Sequence, residues 1–541
     1  ARAGGEPAAA SAPRPSRAPG ATTPGRKIAP VTGCGQLRDK DFSQLPGAPT
    51  TVTSAAVTTI GGARYCEVKG EQPPELQFDL RLPVSTWTGR YVQEGCGGYC
   101  GAVSPGPPAL ATNCPAVAGN ELALATDNEG HVGASGFDAL WAADDAGMRI
   151  SYAYTSEHDL AVAAKAIIAA YYGRGPSYSY FDGCSDGGRE ALVEAQRYPR
   201  DFNGILAGAP EIIAAELNGE VQAWNILANM DSRGHEILTA GKLPALHAAV
   251  VKKCGNTDGY LTDPRACDFD PASLECPAGT DNSNCLTSAQ VAVAEKLYRG
   301  PRDLRNRSLY PGGEPYGSEL AWQGWLIDPA SDTAWPKDTI DYSAALGMLK
   351  YMAFAKNPPA SFTLTDWKFT LGNYRRLTAL NGLNDATDPD LSAFAKAGGK
   401  IIMYQGWADS AIPPFGTVAY YSAVARAAGG YAASQSFSRL YMIPAQYHCL
   451  GGGTPQVTGD LLTPLMNWVE HSAAPGPQTF SVVNPTTSLK SITVAPLNPD
   501  RPVAGHGLNS SYPWVGAFRA GAELWCRADG MSVACRRTAS R

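Results

Sequence analysis

Two dipeptides far apart in the chain constrain its fold more than any other feature: Cys184-Ser185 and His448-Cys449. The serine sits in a glycine-rich turn, Gly183-Cys184-Ser185-Asp186-Gly187-Gly188, and the histidine opens a second glycine-rich stretch. A disulfide between the two cysteines would hold their Cα atoms within about 4.4–6.8 Å. Any fold that makes this bond must bring the serine and the histidine together across nearly half the chain. A serine held beside an imidazole is the nucleophile–base pair of acyl transfer.

At 541 residues the chain exceeds one simple core, so two domains, or one large domain with an insertion, are expected. Its 44% hydrophobic and 17% charged residues are those of a globular protein. A net charge of −6 leaves no basic footprint for nucleic acid. No run of about 20 apolar residues exists to span a membrane. The 13 cysteines point to an oxidising compartment with five or six disulfides and at least one thiol left over. Zinc is disfavoured, because no Cys-x2-Cys pair occurs and His448 is the only histidine beside a cysteine. By proximity, Cys254–Cys267, Cys276–Cys285 and Cys526–Cys535 are natural local loops, and Cys34–Cys66 fits at longer range. Which two of Cys96, Cys100 and Cys114 pair is open. Residues 1–30, rich in Ala, Pro, Gly and Arg, read as a flexible lead left after removal of a secretory signal, hence a secreted or periplasmic protein.

Short β-like runs fill residues 31–82, and Arg90 to Gln93 is a strand entering the bare loop Gly95-Cys96-Gly97-Gly98-Tyr99-Cys100-Gly101. A helical apolar period marks His158 to Tyr172, followed by a strand at Tyr178 to Asp182, a helix at Asp186 to Tyr198 and a strand at Phe202 to Leu206. Strand, serine turn, helix, strand is the order of a parallel α/β sheet. The order resumes with a strand at Lys400 to Tyr404, a helix at Phe415 to Ala428 and a strand at Arg439 to Ile443. Residues 211–398 differ in character, with four cysteines, many Trp and Tyr, and turns such as Tyr310-Pro311-Gly312-Gly313. They read as a lid inserted between residues 31–210 and 399–541, which together form the catalytic domain.

Gly183-Cys184-Ser185-Asp186-Gly187 satisfies Gly-x-Ser-x-Gly, whose small neighbours allow a sharp strand-to-helix turn. The partners should follow as acid, then histidine. Asp409 and His448 both lie on loops after strands, where open α/β sheets bind ligands. Asp409 would hold the imidazole tautomer, and His448 would take the proton of Ser185 and return it to the leaving alcohol. Two backbone N–H groups must receive the oxyanion, one from Asp186 and one from the Gly97-Gly98 loop. The carboxylate of Asp186 is expected to point outward without a catalytic role.

Together these motifs resemble the tannase/feruloyl esterase family of α/β-hydrolases, which includes mono(2-hydroxyethyl) terephthalate hydrolases. The resemblance is carried by Gly183-Cys184-Ser185-x-Gly187-Gly188-Arg189, Gly406-x-x-Asp409-x-x-Ile412-Pro413-Pro414 and His448-Cys449-x-Gly451-Gly452, and covers about residues 31 to 475. It implies an α/β-hydrolase fold with a large inserted lid, Ser185, Asp409 and His448 as triad, and a Cys184–Cys449 disulfide. It also implies a lid that shapes a pocket for an aromatic acyl group. Family members carry a calcium loop between two bridged cysteines. The stretch Cys254 to Cys267 corresponds but is shortened, leaving Asp258, Asp263 and the carbonyl of Tyr260 as donors where calcium takes six to eight oxygens.

The reaction needs no cofactor, so a structural calcium is the one ion in question. The small aromatic ester is the expected partner, with Trp325 the favoured lid aromatic against it. A carboxylate on the substrate would need an arginine clamp, yet none occurs between Arg307 and Arg375, leaving Lys337 or Lys350. Feruloyl, galloyl or other hydroxybenzoyl esters are therefore favoured over the terephthalate monoester. A serine peptidase and an inert binding module on a hydrolase scaffold are the readings of other classes.

Overall fold

In the computed structural model of the chain, residues 25–329, 335–449, 451–453, 455–485, 487–503, 505, 507–509 and 513–537 are described. The lead expected over residues 1–30 lies, through residue 24, outside them.

A nine-stranded sheet organises the molecule. Its strands are β1 (Thr51–Ile60), β2 (Ala63–Gln72), β3 (Leu76–Pro83), β4 (Arg90–Glu94), β5 (Leu122–Asp127), β6 (Tyr178–Cys184), β7 (Gly204–Gly208), β8 (Lys400–Gly406) and β9 (Ser438–Ile443), in the order β1-β2-β3-β5-β4-β6-β7-β8-β9. The edge β1-β2-β3-β5 pairs antiparallel, and β5-β4-β6-β7-β8-β9 pairs parallel. The sequence shows why. β1 is mostly exposed, with Val52 its one buried residue, as an antiparallel edge strand can be, whereas β7 and β9 are buried throughout, as parallel strands between layers are. From β4 the chain goes to β5 on one side, and from β6 it goes to β7 on the other. The crevice at the carboxyl ends of β4 and β6 is therefore a switch point of the topology, where such sheets bind ligands.

The helix Ser156–Tyr172 carries Glu157 and Asp159 in its first turn and ends at Gly173, whose φ of 73° closes it. The helix Asp186–Arg197 follows β6 directly and stops ahead of Pro199. The strands and helices flanking both motifs start and stop within about two residues of the sequence boundaries, the normal uncertainty of such ends.

Among the described residues between β7 and β8, none adds a strand to the sheet. Helices Leu243–Cys254 and Ser288–Arg299 pack on buried Trp322, Leu326 and Ile327 as one cluster. A second cluster joins Ile340–Gly347 to Tyr99, Ala139 and Tyr152 near the sheet. Leu383, Ala386, Leu391 and Phe394 already belong to the core of the sheet region.

Six disulfides form: Cys34–Cys66, Cys96–Cys100, Cys184–Cys449, Cys254–Cys267, Cys276–Cys285 and Cys526–Cys535. The pairing left open thus goes to Cys96 and Cys100, while Cys114 is free and buried, its sulfur accepting from Thr463 Oγ1 at 3.3 Å. The C-terminal hairpin Leu524–Asp529/Ser532–Arg537 docks through Trp525, 5.3 Å from the Tyr154 ring and under the Arg197 guanidinium.

Candidate active site

Ser185 sits between β6 and the helix Asp186–Arg197 with φ 70° and ψ −125°, a backbone region that a side chain rarely adopts. The surrounding glycines make this possible. A Cβ on Gly183 would lie 2.3 Å from the Gly187 carbonyl oxygen, and one on Gly188 would lie 2.4 Å from that of Gly208. The turn is pinned by its own backbone: Ser185 N–H donates to Gly208 O (3.0 Å), and Ser185 O accepts from Gly188 and Glu211.

Asp409, after β8, is fully buried, and its Oδ1 accepts from the backbone N–H of Ala411 and Ile412, both at 3.0 Å. Its Oδ2 lies 3.2 Å from Gln405 Nε2 and 3.0 Å from His448 Nδ1. An Nδ1–H donating to this carboxylate leaves Nε2 unprotonated and free to accept. Gly406 lets the two loops meet, because a Cβ there would lie 2.0 Å from Gln446 O. The Cys184–Cys449 bond spans a Cα separation of 5.9 Å. Ser185, His448 and both cysteines line one cleft of about 680 Å³.

Gly97 and Gly98 also line this cleft, inside the five-residue ring closed by Cys96–Cys100. Gly98 has φ +67°, and a Cβ there would lie 2.1 Å from Gly136 O. Among the hydrogen bonds of the described residues, neither the N–H of Gly97 and Gly98 nor that of Asp186 donates to a protein acceptor.

The side chain of Asp186 corrects the outward orientation expected from sequence. It is fully buried, with Oδ1 2.5 Å from Arg189 Nε and within reach of the Tyr152 hydroxyl at 3.3 Å. Arg189 is buried too, bonds Glu129 through Nη2, and lies 4.5 Å from the Tyr152 ring centre. Its charge balances a crowded acidic floor. Burial, and then the Asp186 carboxylate, raise the pKa of Glu129 and Glu190 well above the ordinary carboxylate range. Glu190 in turn accepts from Cys96 N–H at 3.2 Å, so this network supports both the serine turn and the Gly97-Gly98 ring.

Residues 57–499 match the family described as tannase and feruloyl esterase. The chain belongs to that family. It is 30% identical over 482 residues to an uncharacterized esterase of Xanthomonas campestris pv. campestris, covering 79% of this chain and 81% of the relative. It is also 30% identical over 496 residues to the mono(2-hydroxyethyl) terephthalate hydrolase of Piscinibacter sakaiensis, covering 79% of each. The fold is shared with feruloyl esterase B from Aspergillus oryzae, with a TM-score of 0.72 at 23% identity over 86% of this chain and 95% of that one. Membership of the tannase and feruloyl esterase family makes this chain a carboxylic ester hydrolase with an α/β-hydrolase fold.

Trp325 lines the cleft, with its ring 5.6 Å from that of His448 and 6.3 Å from that of Phe137. Among the described residues, no lysine or arginine lines the cleft, and neither Lys337 nor Lys350 belongs to its lining. A narrow side pocket continues from Ser185 between Phe137, Trp325, Leu217 and Ile412, with Glu211, Asn218 and Gln222 among its polar groups. Of these, only Trp325 and Ile412 carried a sequence signal; Phe137, Leu217, Asn218 and Gln222 lie on loops or helices without a motif.

The family's calcium loop is a poor fit here. Asp263 holds Arg265, its Oδ2 2.7 Å from Nη2, and also caps the Arg265 backbone N–H. The Tyr260 carbonyl accepts from Asn256 N–H at 2.9 Å, and Asn256, rather than Asp258, organises the turn. A guanidinium in contact with one of two carboxylates repels a dication, so no step below involves calcium.

Proposed function

We propose that this family member is a secreted serine esterase that cleaves esters of hydroxylated aromatic acids through an acyl-enzyme, with residues 211–398 serving as the lid. The Asp409–His448 hydrogen bond, with His448 lining the same cleft as Ser185 on its strained turn, carries the reading. His448 Nε2 removes the Ser185 hydroxyl proton as Oγ attacks the ester carbonyl. The developing oxyanion is received by the free N–H groups of Asp186 and of the Gly97-Gly98 ring. The imidazolium then protonates the leaving alcohol, and water repeats the sequence on the acyl-enzyme. Asp409 fixes the tautomer and stabilises the imidazolium without taking its proton.

Phe137 and Trp325 offer an aromatic acyl group an edge-and-face slot. The absence of a cation from the cleft lining argues against an acyl group ending in a carboxylate. Six disulfides support export to an oxidising compartment. Methyl ferulate, methyl gallate, p-nitrophenyl acetate and mono(2-hydroxyethyl) terephthalate form the test panel. Methyl ferulate or gallate should give the highest kcat/KM, and Trp325→Ala should lower it roughly tenfold or more for these two while changing acetate far less. A terephthalate monoester turned over orders of magnitude faster than both would overturn the substrate assignment.

A further inference from the structure

Two carboxyl groups stand at the carboxyl ends of adjacent strands beside the nucleophile. Glu94 on β4 is the ladder partner of Asp182 on β6, which places their Cα atoms about 4.8 Å apart. Both line the catalytic cleft, yet only 8% of Glu94 and 2% of Asp182 is exposed. Among the described residues, neither oxygen of Asp182 and not Oε1 of Glu94 has a hydrogen-bond partner. Buried polar groups are nearly always satisfied, and unsatisfied ones that line a cleft can bond to polar atoms of a ligand. Glu94 feels the positive charge of Arg81 on β3, two strands away in the sheet, and Arg81 is itself 3.4 Å from Asp79.

His448 gives these acids a direction. It lines the main cleft with Glu94 and Asp182 but not the side pocket beyond Ser185. The leaving alcohol receives its proton from His448, so the alcohol half of the ester lies on the side of the two carboxyls and the acyl half enters the side pocket. We propose that Asp182 and Glu94 form an alcohol-side subsite that selects esters whose alcohol carries further hydroxyl groups, an inference that rests on the serine-esterase reading above.

Several features favour hydroxyls over a cationic alcohol. Burial raises Glu94 to about 8 and, reinforced by Glu94 and Asp460, raises Asp182 well above the carboxylate range. The pair therefore offers both O–H donors and C=O acceptors at neutral pH, the complement of a polyol. The cleft segment Ser104, Gly106, Pro107, Pro108 and Ala109 carries no aromatic face for an ammonium group, and the aromatic residues that line the cleft, Phe137 and Trp325, are shared with the side pocket.

The test compares the methyl, glyceryl and choline esters of ferulic acid on the full chain. The glyceryl ester should exceed the methyl ester at least ~10-fold in kcat/KM, about the worth of one well-made hydrogen bond to a charged or shared-proton group. Asp182→Val, which exchanges an unpartnered buried acid for an apolar residue suited to a strand, and Glu94→Leu should each bring that ratio toward one, and Asp182→Asn should restore part of it. The ratio cancels any general loss of activity. A wild-type ratio near one, a ratio unmoved by both apolar variants, or a preference for the choline ester overturns the subsite while leaving the esterase intact. Failure to turn over any of the three esters overturns the esterase reading and the subsite together.

Discussion

Ser185→Ala should lower kcat for methyl ferulate or gallate by on the order of 10⁴- to 10⁶-fold, with the thermal unfolding midpoint unchanged or slightly raised. Such a loss is expected only of the atom that forms the covalent bond, since a triad without its nucleophile keeps only binding and the oxyanion site. The fold should tolerate the change. Ser185 makes its structural hydrogen bonds through its backbone N–H and carbonyl, which alanine retains. His448→Ala should lose activity on the same scale, and the double variant no more than either alone, because the two act as one unit. A residual rate within about tenfold of wild type would show that ester cleavage occurs without this serine.

Arg189→Met should have the largest effect on stability. The guanidinium is fully buried among Asp186, Glu129 and the carbonyls of Tyr152 and Ala153. Removing one partner of a buried ion pair typically costs about 3–5 kcal/mol, because the remaining charge is left uncompensated. The sign of the pH dependence follows from the acids left behind. Glu129 and Glu190 are already raised above their ordinary value of 4.5, and without the arginine they rise further. A carboxyl whose folded-state pKa is raised stabilises the fold fully below its unfolded pKa and loses that contribution as pH climbs toward the folded one. The unfolding midpoint of the variant should therefore fall below wild type most at about pH 8 and least at about pH 4.5. A uniform deficit across that range would mean that lost packing over Tyr152, not uncompensated charge, explains the effect.

The serine turn and the order of its partners were legible because they are local. Glycines at 183, 187 and 188 are dictated by backbone approaches within a few residues or to the adjoining strand, and apolar runs at β8 and β9 identify fully buried strands. Asp186 was not legible, since an acid in the first turn of a helix is ordinarily solvated and favourable there. Only tertiary packing brings Tyr152 and Glu129 over it, although Arg189 three residues on, within the quoted motif, was the available signal. Cys96 and Cys100 could not be separated from Cys114 by spacing, as Cys114 turns instead toward Thr463 in another core cluster. Glu94 and Asp182 were visible as acids at strand ends ahead of glycine loops. Their pairing depends on strand order, however, which places β4 next to β6 instead of β5 alone.

The central claim, a serine nucleophile activated by His448 across the Cys184–Cys449 bond, is tested most directly by mass mapping after treatment with diethyl p-nitrophenyl phosphate. One diethylphosphoryl group should add per chain, on the peptide containing Ser185, with activity lost in proportion, and Ser185→Ala and His448→Ala should remain unlabelled. Full activity without a label, or a label on another residue that tracks the loss of activity, would contradict the account.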